Sequence, residues 1–259
     1  MKGSLWCALA LVALVVGCQK KQPQKERTEP WLASARPSAS ASALPRRVPY
    51  RLAASRVDFE LPTKRGTPKG KVGSGTGELD VDLDDLSHTT GKVGFDLSTL
   101  ELTGTDGSSD APNTARALDW LELGAGIAAD RRDTLRQVSF ELGSLDAGHV
   151  VSAPSEERPS RRRELASQWQ VRGELSLHGV RAPGSADVTL TLVPGPDPAG
   201  PPAELLIRSR QPFVIVLGTH DIRPREQRGL SIAKDQGVLG DGVGREARVS
   251  FELTFTPRP

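Results

Sequence analysis

From Tyr50 to the C-terminus, apolar side chains recur at every second position in a series of short runs. "RVDFEL" (56–61) places Val57, Phe59 and Leu61 on one face. "GELDVDL" (77–83) does the same with Leu79, Val81 and Leu83, leaving Asp80 and Asp82 on the other side. The pattern continues with Val93, Phe95 and Leu97, with Val138, Phe140 and Leu142, and with Val188, Leu190 and Leu192. The final run, "EARVSFELTF" (246–255), alternates Ala247, Val249, Phe251, Leu253 and Phe255 against charged or hydroxyl residues. Successive strand residues point to opposite faces, so a period of two predicts strands with one dry and one wet face. "RQPFVIVLG" (210–218) is apolar on both faces and is expected to sit centrally or under a cover. With "WQVRGELSL" and "AELLIRS", eight or nine strands are expected, separated by turn-rich stretches such as "PGPDPAGPP" (194–202).

One segment reads as helix. In "APNTARALDWLELG" (111–124), Ala115, Leu118 and Leu121 recur at three-residue spacing, with Asn113 as the expected N-cap and Gly124 as the stop. A second short helix is expected over 129–135. The fold class is therefore mostly all-β. It is a single antiparallel sheet with one or two short helices, long enough to curl and close so that no edge is left exposed.

Composition supports this and narrows the function. The 26 Gly and 20 Pro among 259 residues favour turns over long helices. Aromatic residues make up 4%, so an interior would be walled mainly by Leu, Val and Ile. A net charge of +2 offers no electrostatic case for nucleic acid as a partner.

The N-terminus predicts a destination. Lys2 is followed by "LWCALALVALVVG", shorter than the ~20 residues of a membrane span and fitting a secretory signal. Val15, Val16 and Gly17 lead directly to Cys18, a pattern that resembles the lipobox of bacterial lipoproteins. That resemblance implies cleavage after residue 17 and lipidation of Cys18, and hence a membrane partner through the anchor and a periplasmic location. Gln19 in the following position implies sorting to the outer membrane. Cys7 lies in the discarded segment, so no structural disulfide is available. Residues 18–48, with "PSASASALPRR" (37–47), cannot bury enough surface to fold and read as a tether of about 30 Å. Residues 49–259 form the folded domain.

"GELSLHGV" (173–180) holds one of only four histidines, and the strand's parity decides how to read it. With Trp169, Val171, Leu175 and Leu177 inward, His178 falls on the wet face with Arg172, Glu174 and Ser176, as an exposed residue ahead of a glycine turn. The same stretch resembles the G-x-L-x-(L/I)-H-G-V strand of the YceI-like family. "SRVDFEL" (55–61), the segment 73–100, "RALDWLEL" (116–123) and "RQVSFELGSL" (136–145) resemble that family's other segments in the same order. The sequence departs from the family at Arg181-Ala182-Pro183-Gly184 and in the long loop from His220 to Gly244. The resemblance implies a lipocalin-shaped periplasmic barrel that holds polyisoprenoid chains; from the residues themselves, no cofactor and no metal are expected.

If the alternating apolar faces line such a barrel, the candidate lumen residues are Phe59, Leu79, Val81, Phe95, Phe140, Leu175, Leu177, Leu190, Phe213, Phe251 and Leu253. Walls of this kind suit a hydrophobic small molecule, isoprenoid or lipid, with its polar head at the mouth. A second reading stays open, in which these residues fill the core and the barrel acts as an envelope scaffold through its loops. Sharper chemistry finds less support. "GSGTGE" (73–78) lacks the spacing and following helix of a phosphate loop. Asp80, Asp82, Asp84 and Asp85 lack the glycine and distal glutamate of a calcium loop and are expected on a solvated face. His220, Asp221 and Glu226 share a loop, yet no nucleophile motif accompanies them, so no catalytic residue is expected.

Overall fold

The computed structural model describes residues 46–62, 66–104, 108–150, 165–197, 200–222 and 245–258. The signal segment, Cys18 and nearly all of the tether lie outside these residues, as does most of the loop from His220 to Gly244.

Eleven strands form one sheet. They are β1 (Arg47–Glu60), β2 (Lys69–Val72), β3 (Thr76–Asp82), β4 (Thr90–Asp96), β5 (Glu101–Thr103) and β6 (Gln137–Val150), followed by β7 (Leu165–Leu177), β8 (Val180–Val193), β9 (Glu204–Ser209), β10 (Phe213–Val216) and β11 (Glu246–Pro257). Eight of them run antiparallel round a ring in the order β1-β3-β4-β6-β7-β8-β9-β11. The ring closes where β11 pairs back onto β1, from Tyr50 opposite Pro257 to Glu60 opposite Arg248. Arg47 and Val48, which the sequence reading puts at the end of the tether, already pair with Asp82 and Val81 of β3. The other three strands hang on one rim, β2 and β5 beside the end of β1 and β10 beside the start of β11.

The period-two pattern sets which residues face inward, with two phase changes. In β1, Tyr50 and Leu52 face inward at even positions, whereas Val57 and Phe59 do so at odd ones. The register shifts between Leu52 and Ala54, so one extra residue in the bulge reverses the parity. β6 does the same between Leu142 and Ser144, which brings Leu145 onto the wall that Val138, Phe140 and Leu142 began. β7, β8, β9 and β11 keep one phase throughout, and Val188 and Phe255 reach 0% exposure.

Glycine supplies the room that large side chains need in so narrow a tube. Gly173 and Gly184 face each other across β7 and β8. A Cβ at Gly173 would collide with the Phe140 ring and the Glu141 carbonyl, so the ring occupies space that only a glycine leaves open.

Two helices pack against the rim that carries β2, β5 and β10. In α1 (Ala111–Trp120), Asp110 is the N-cap in place of the expected Asn113, its side chain accepting from the Asn113 N–H at 3.2 Å. Asp110 sits one residue before the helical turn and Pro112 sits inside it, which makes Asp110 the residue free to adopt the non-helical cap conformation. The buried face consists of Ala117, Leu118, Trp120 and Leu121, and Ala115 is exposed. α2 (Ala129–Leu135) coincides with the segment expected to be helical and buries Leu135.

Four expectations about exposure need correction. His178 is 9% exposed and takes a positive φ of 53°, with Gly179 at 75°. The pair forms the two-residue turn of the β7–β8 hairpin, whose twist demands left-handed backbone at both positions. Asp82 is 2% exposed, because its carboxylate accepts the backbone N–H groups of Asp84 and Asp85, both at 3.1 Å. β10 is an edge strand paired with β11 alone, so Val214 and Val216 face solvent at 47% and 46%. His220 is buried in a 3-10 turn (Leu217–His220) rather than loosely looped.

The outer surface belongs to water. Cross-strand pairs such as Arg208–Glu252 at 2.8 Å and Arg172–Asp146 at 2.9 Å stud it. Each is exposed and adds little stability. A barrel embedded in lipid would carry an apolar band at those positions instead.

Two measurements test this assignment of faces. Tyr50 is the chain's single tyrosine, 1% exposed, and its hydroxyl donates to the Pro202 carbonyl at 2.9 Å. Burial pushes its pKa up to about 12, against a weaker opposing pull from Arg46. Between the ordinary value of 10.0 and about 12 the unfolded chain gives up a proton that the folded chain keeps, so stability falls as pH rises through that window. Ultraviolet titration of the phenol is expected to show the high midpoint in the native protein and the ordinary one in denaturant, and Tyr50→Phe to remove this component of alkaline destabilisation. In urea melts, Phe251→Asp is expected to abolish folding, since an unpaired charge in an apolar interior costs several kcal/mol. Glu252→Lys, one residue along on the wet face, is expected to change stability by less than ~1 kcal/mol.

Candidate functional site

The inward side chains do not fill the tube. They enclose a cavity of about 270 Å³, close to the lower end of the ~300–1,000 Å³ typical of small-molecule sites. Ala117 and Trp120 of α1, with Leu121 at its C-cap, wall one end. Towards the other rim lie Val81, Val188, Leu205 and Phe255, which belong to the cavity wall. Tyr50, Leu86 and Trp169 pack in the buried cluster at that rim.

The structure brings the eleven sequence-derived candidates together on this wall. Phe59, Leu79, Val81, Phe95 and Phe140 come from the first half of the ring, and Leu175, Leu177, Leu190, Phe213, Phe251 and Leu253 from the second. Phe213 arrives on the edge strand β10, whose inward residues Phe213 and Ile215 close the wall beside β11. Several wall residues escaped the sequence reading. Leu145 lies beyond the β6 bulge that flips its parity, and Trp120 and Leu121 reach the cavity only because α1 folds over the rim. Leu205 and Ile207 belong to a strand that the sequence did show, and its alternation would have found them.

The wall gives a ligand almost nothing to hydrogen-bond. Its polar residues are Thr89, Lys92 and Ser139, and Lys92 is exposed on the outer face. Thr89 is 3% exposed, and its hydroxyl oxygen is buried without a hydrogen-bond partner. What the cavity can do is remove a hydrocarbon chain from water, which yields about 0.8 kcal/mol per enclosed CH₂.

The remaining candidates for chemistry do structural work. Asp80 pairs with Arg47 at 3.3 Å, Asp82 ties the turn after β3, and the Asp84 carboxylate accepts the Arg46 N–H at 2.9 Å. Asp85 caps the 3-10 turn Leu86–His88, accepting from the Ser87 hydroxyl at 2.6 Å and its N–H at 2.9 Å. These hydrogen bonds hold its carboxyl below the usual range. Among the described residues no three His, Cys, Asp or Glu side chains converge as a metal site requires. His220 Nδ1 lies 3.2 Å from the Val180 carbonyl oxygen, which accounts for one nitrogen of that buried ring. Glu226 lies outside the described residues.

No protein-family model matches the chain, and no curated protein matches it in sequence. Similar architectures do occur among solved structures. Burkholderia cenocepacia BcnA aligns over 77% of this chain and 95% of its own, at 14% identity and a TM-score of 0.49. A polyisoprenoid-binding domain from Saccharophagus degradans, implicated in plant cell wall breakdown, aligns over 82% of this chain and 99% of its own, at 12% identity and a TM-score of 0.52. The closed ring of eight antiparallel strands, the short helices at its rim and this alignment agree: the chain has the lipocalin-like barrel fold of that polyisoprenoid-binding domain.

Proposed function

We propose that this protein is a lipid-anchored barrel of the bacterial periplasm that binds or carries a hydrophobic molecule, isoprenoid-like or lipid, in its lumen. The carrying observation is the apolar cavity along the barrel axis, walled by Leu, Val and Phe. A barrel serving only as a scaffold through its loops would gain stability by packing that space, since voids forfeit dispersion contacts. A slender chain is the ligand that such a tube accommodates. Each enclosed five-carbon unit contributes roughly 3 kcal/mol, offset by several kcal/mol for association, so retention requires several units inside. The polyisoprenoid-binding name of the Saccharophagus degradans domain makes an isoprenoid the first ligand to try. We read the role as binding rather than catalysis, since among the described residues the lumen wall is overwhelmingly Leu, Val and Phe and includes no His, Cys, Asp or Glu. The membrane would be met through Cys18, with the tether between anchor and barrel.

Native mass spectrometry of the protein isolated from bacterial membranes is expected to reveal a co-purified isoprenoid or lipid that organic extraction removes. Val188→Trp, which fills the lumen from a fully buried wall position, is expected to lower that occupancy about tenfold or more while circular dichroism stays barrel-like. A ligand-free protein that takes up no lipid from an added extract would overturn the reading. Cys18→Ala is expected to release the protein from the membrane fraction.

A further inference from the structure

The two ends of the lumen are closed in different ways. At one end Val81, Val188, Leu205 and Phe255 are buried strand residues, and the Tyr50–Pro202 hydrogen bond ties β1 to the segment before β9 at the same rim. At the other end the wall is Ala117 and Trp120 of α1, with Leu121 at its C-cap. The start of α1 is fastened to β5. There the Asp110 N–H donates to the Leu102 carbonyl at 2.8 Å, and the Thr114 hydroxyl accepts the Leu102 N–H at 2.9 Å.

The far end of α1 is held differently. The Glu122 N–H donates to the Asp119 carbonyl at 3.1 Å and the Leu123 N–H to the Leu118 carbonyl at 2.8 Å, the pair of bonds that ends a helix through one left-handed residue. That residue is Glu122, at a φ of 57°. Glycine is favoured at such a position because it has no Cβ to crowd the backbone. The glutamate side chain goes instead to α2, where its buried carboxylate pairs with the Arg131 guanidinium. α2 is in turn fixed to the ring, since the Leu97 N–H donates to the Arg136 carbonyl at 2.8 Å and Arg136 pairs with Asp96 at 3.6 Å. Between the helices Ala125 and Gly126 are exposed, and a Cβ at Gly126 would meet nothing within 4 Å.

We propose that the Glu122–Arg131 ion pair is the latch of a gate, through which ligand enters and leaves the lumen as the C-terminal half of α1 swings outward about its fastening on β5. The proposal rests on the lumen reading above and adds the route and the pair that sets its rate. Closure puts Glu122 in a backbone conformation that its own side chain disfavours, so the charge pair is what holds that end of the helix down. Arg131 is exposed, and the two charges can part into water each time ligand exchanges. Trp120 and Leu121 immediately precede Glu122, and they leave the lumen wall when it lifts.

Stopped-flow fluorescence on the full chain tests this with retinol, an isoprenoid alcohol whose emission rises in apolar surroundings. Glu122→Gly cuts the latch while supplying the residue that the backbone favours. It is expected to raise the association and dissociation rates together, each about tenfold or more, with Kd kept within about twofold and the thermal midpoint not lowered. Arg131→Ala is expected to accelerate both rates likewise, and Arg131→Lys to restore most of the slow exchange. Glu122→Gly combined with Arg131→Ala is expected to be no faster than the faster single variant, as for two residues acting as one unit. Glu122→Gln serves in the same comparison if Glu122→Gly does not fold. Unchanged rates, or a rise in dissociation alone, overturn the latch and leave the lumen reading standing. If retinol does not bind the unmodified protein, both fall.

Discussion

The pairing of β11 with β1 is the constraint on which the rest of this barrel depends. It joins nearly the first described residues to the last, along ten paired positions from Tyr50 to Glu60. Without that ladder the sheet would keep two free edges and the inward Leu, Val and Phe would have no opposite wall to pack on. With it, a period-two sequence becomes a tube, and the even or odd position of a residue decides whether it meets water or hydrocarbon.

A ring of eight strands is tight, and the departures from regularity are what let it hold space. Bulges in β1 and β6 reverse parity midway, so that both rims of the same strand contribute apolar residues to one interior. Paired glycines at 173 and 184 lower the floor beneath Phe140 and Phe213, which lets large rings lie along the wall instead of plugging the middle. The outcome is an apolar lumen that Ala117, Trp120 and Leu121 wall at one end. Among the described residues the lumen wall carries few polar side chains, Thr89 and Ser139 among them, and ion pairs such as Arg172–Asp146 and Arg208–Glu252 lie on the outer face.

Turn chemistry accounts for most residues that look catalytic in the linear sequence. His178 is a left-handed turn residue, the four aspartates from 80 to 85 tie one rim turn to its neighbouring strand, and His220 leans on a hairpin carbonyl. Asp82, Asp84 and Asp85 accept backbone N–H groups, and the His220 ring meets a backbone carbonyl, so much of this chemistry serves the local fold.

By itself the sequence determined the strands of the ring, most of their inward and outward faces, the two short helices and eleven of the residues that line the lumen. Those features follow from side-chain spacing on a pleated backbone, which is local and needs no knowledge of the partner strand. Only the tertiary structure decided the parity changes at the bulges, the burial of His178 and Asp82, the place of β10 at an edge and the contribution of α1 to the cavity wall. An inserted residue, a turn's handedness and a strand's neighbours depend on which segments meet, and that is set by closure of the ring. The cavity likewise exists only as the volume left once all of the opposing faces have been brought together.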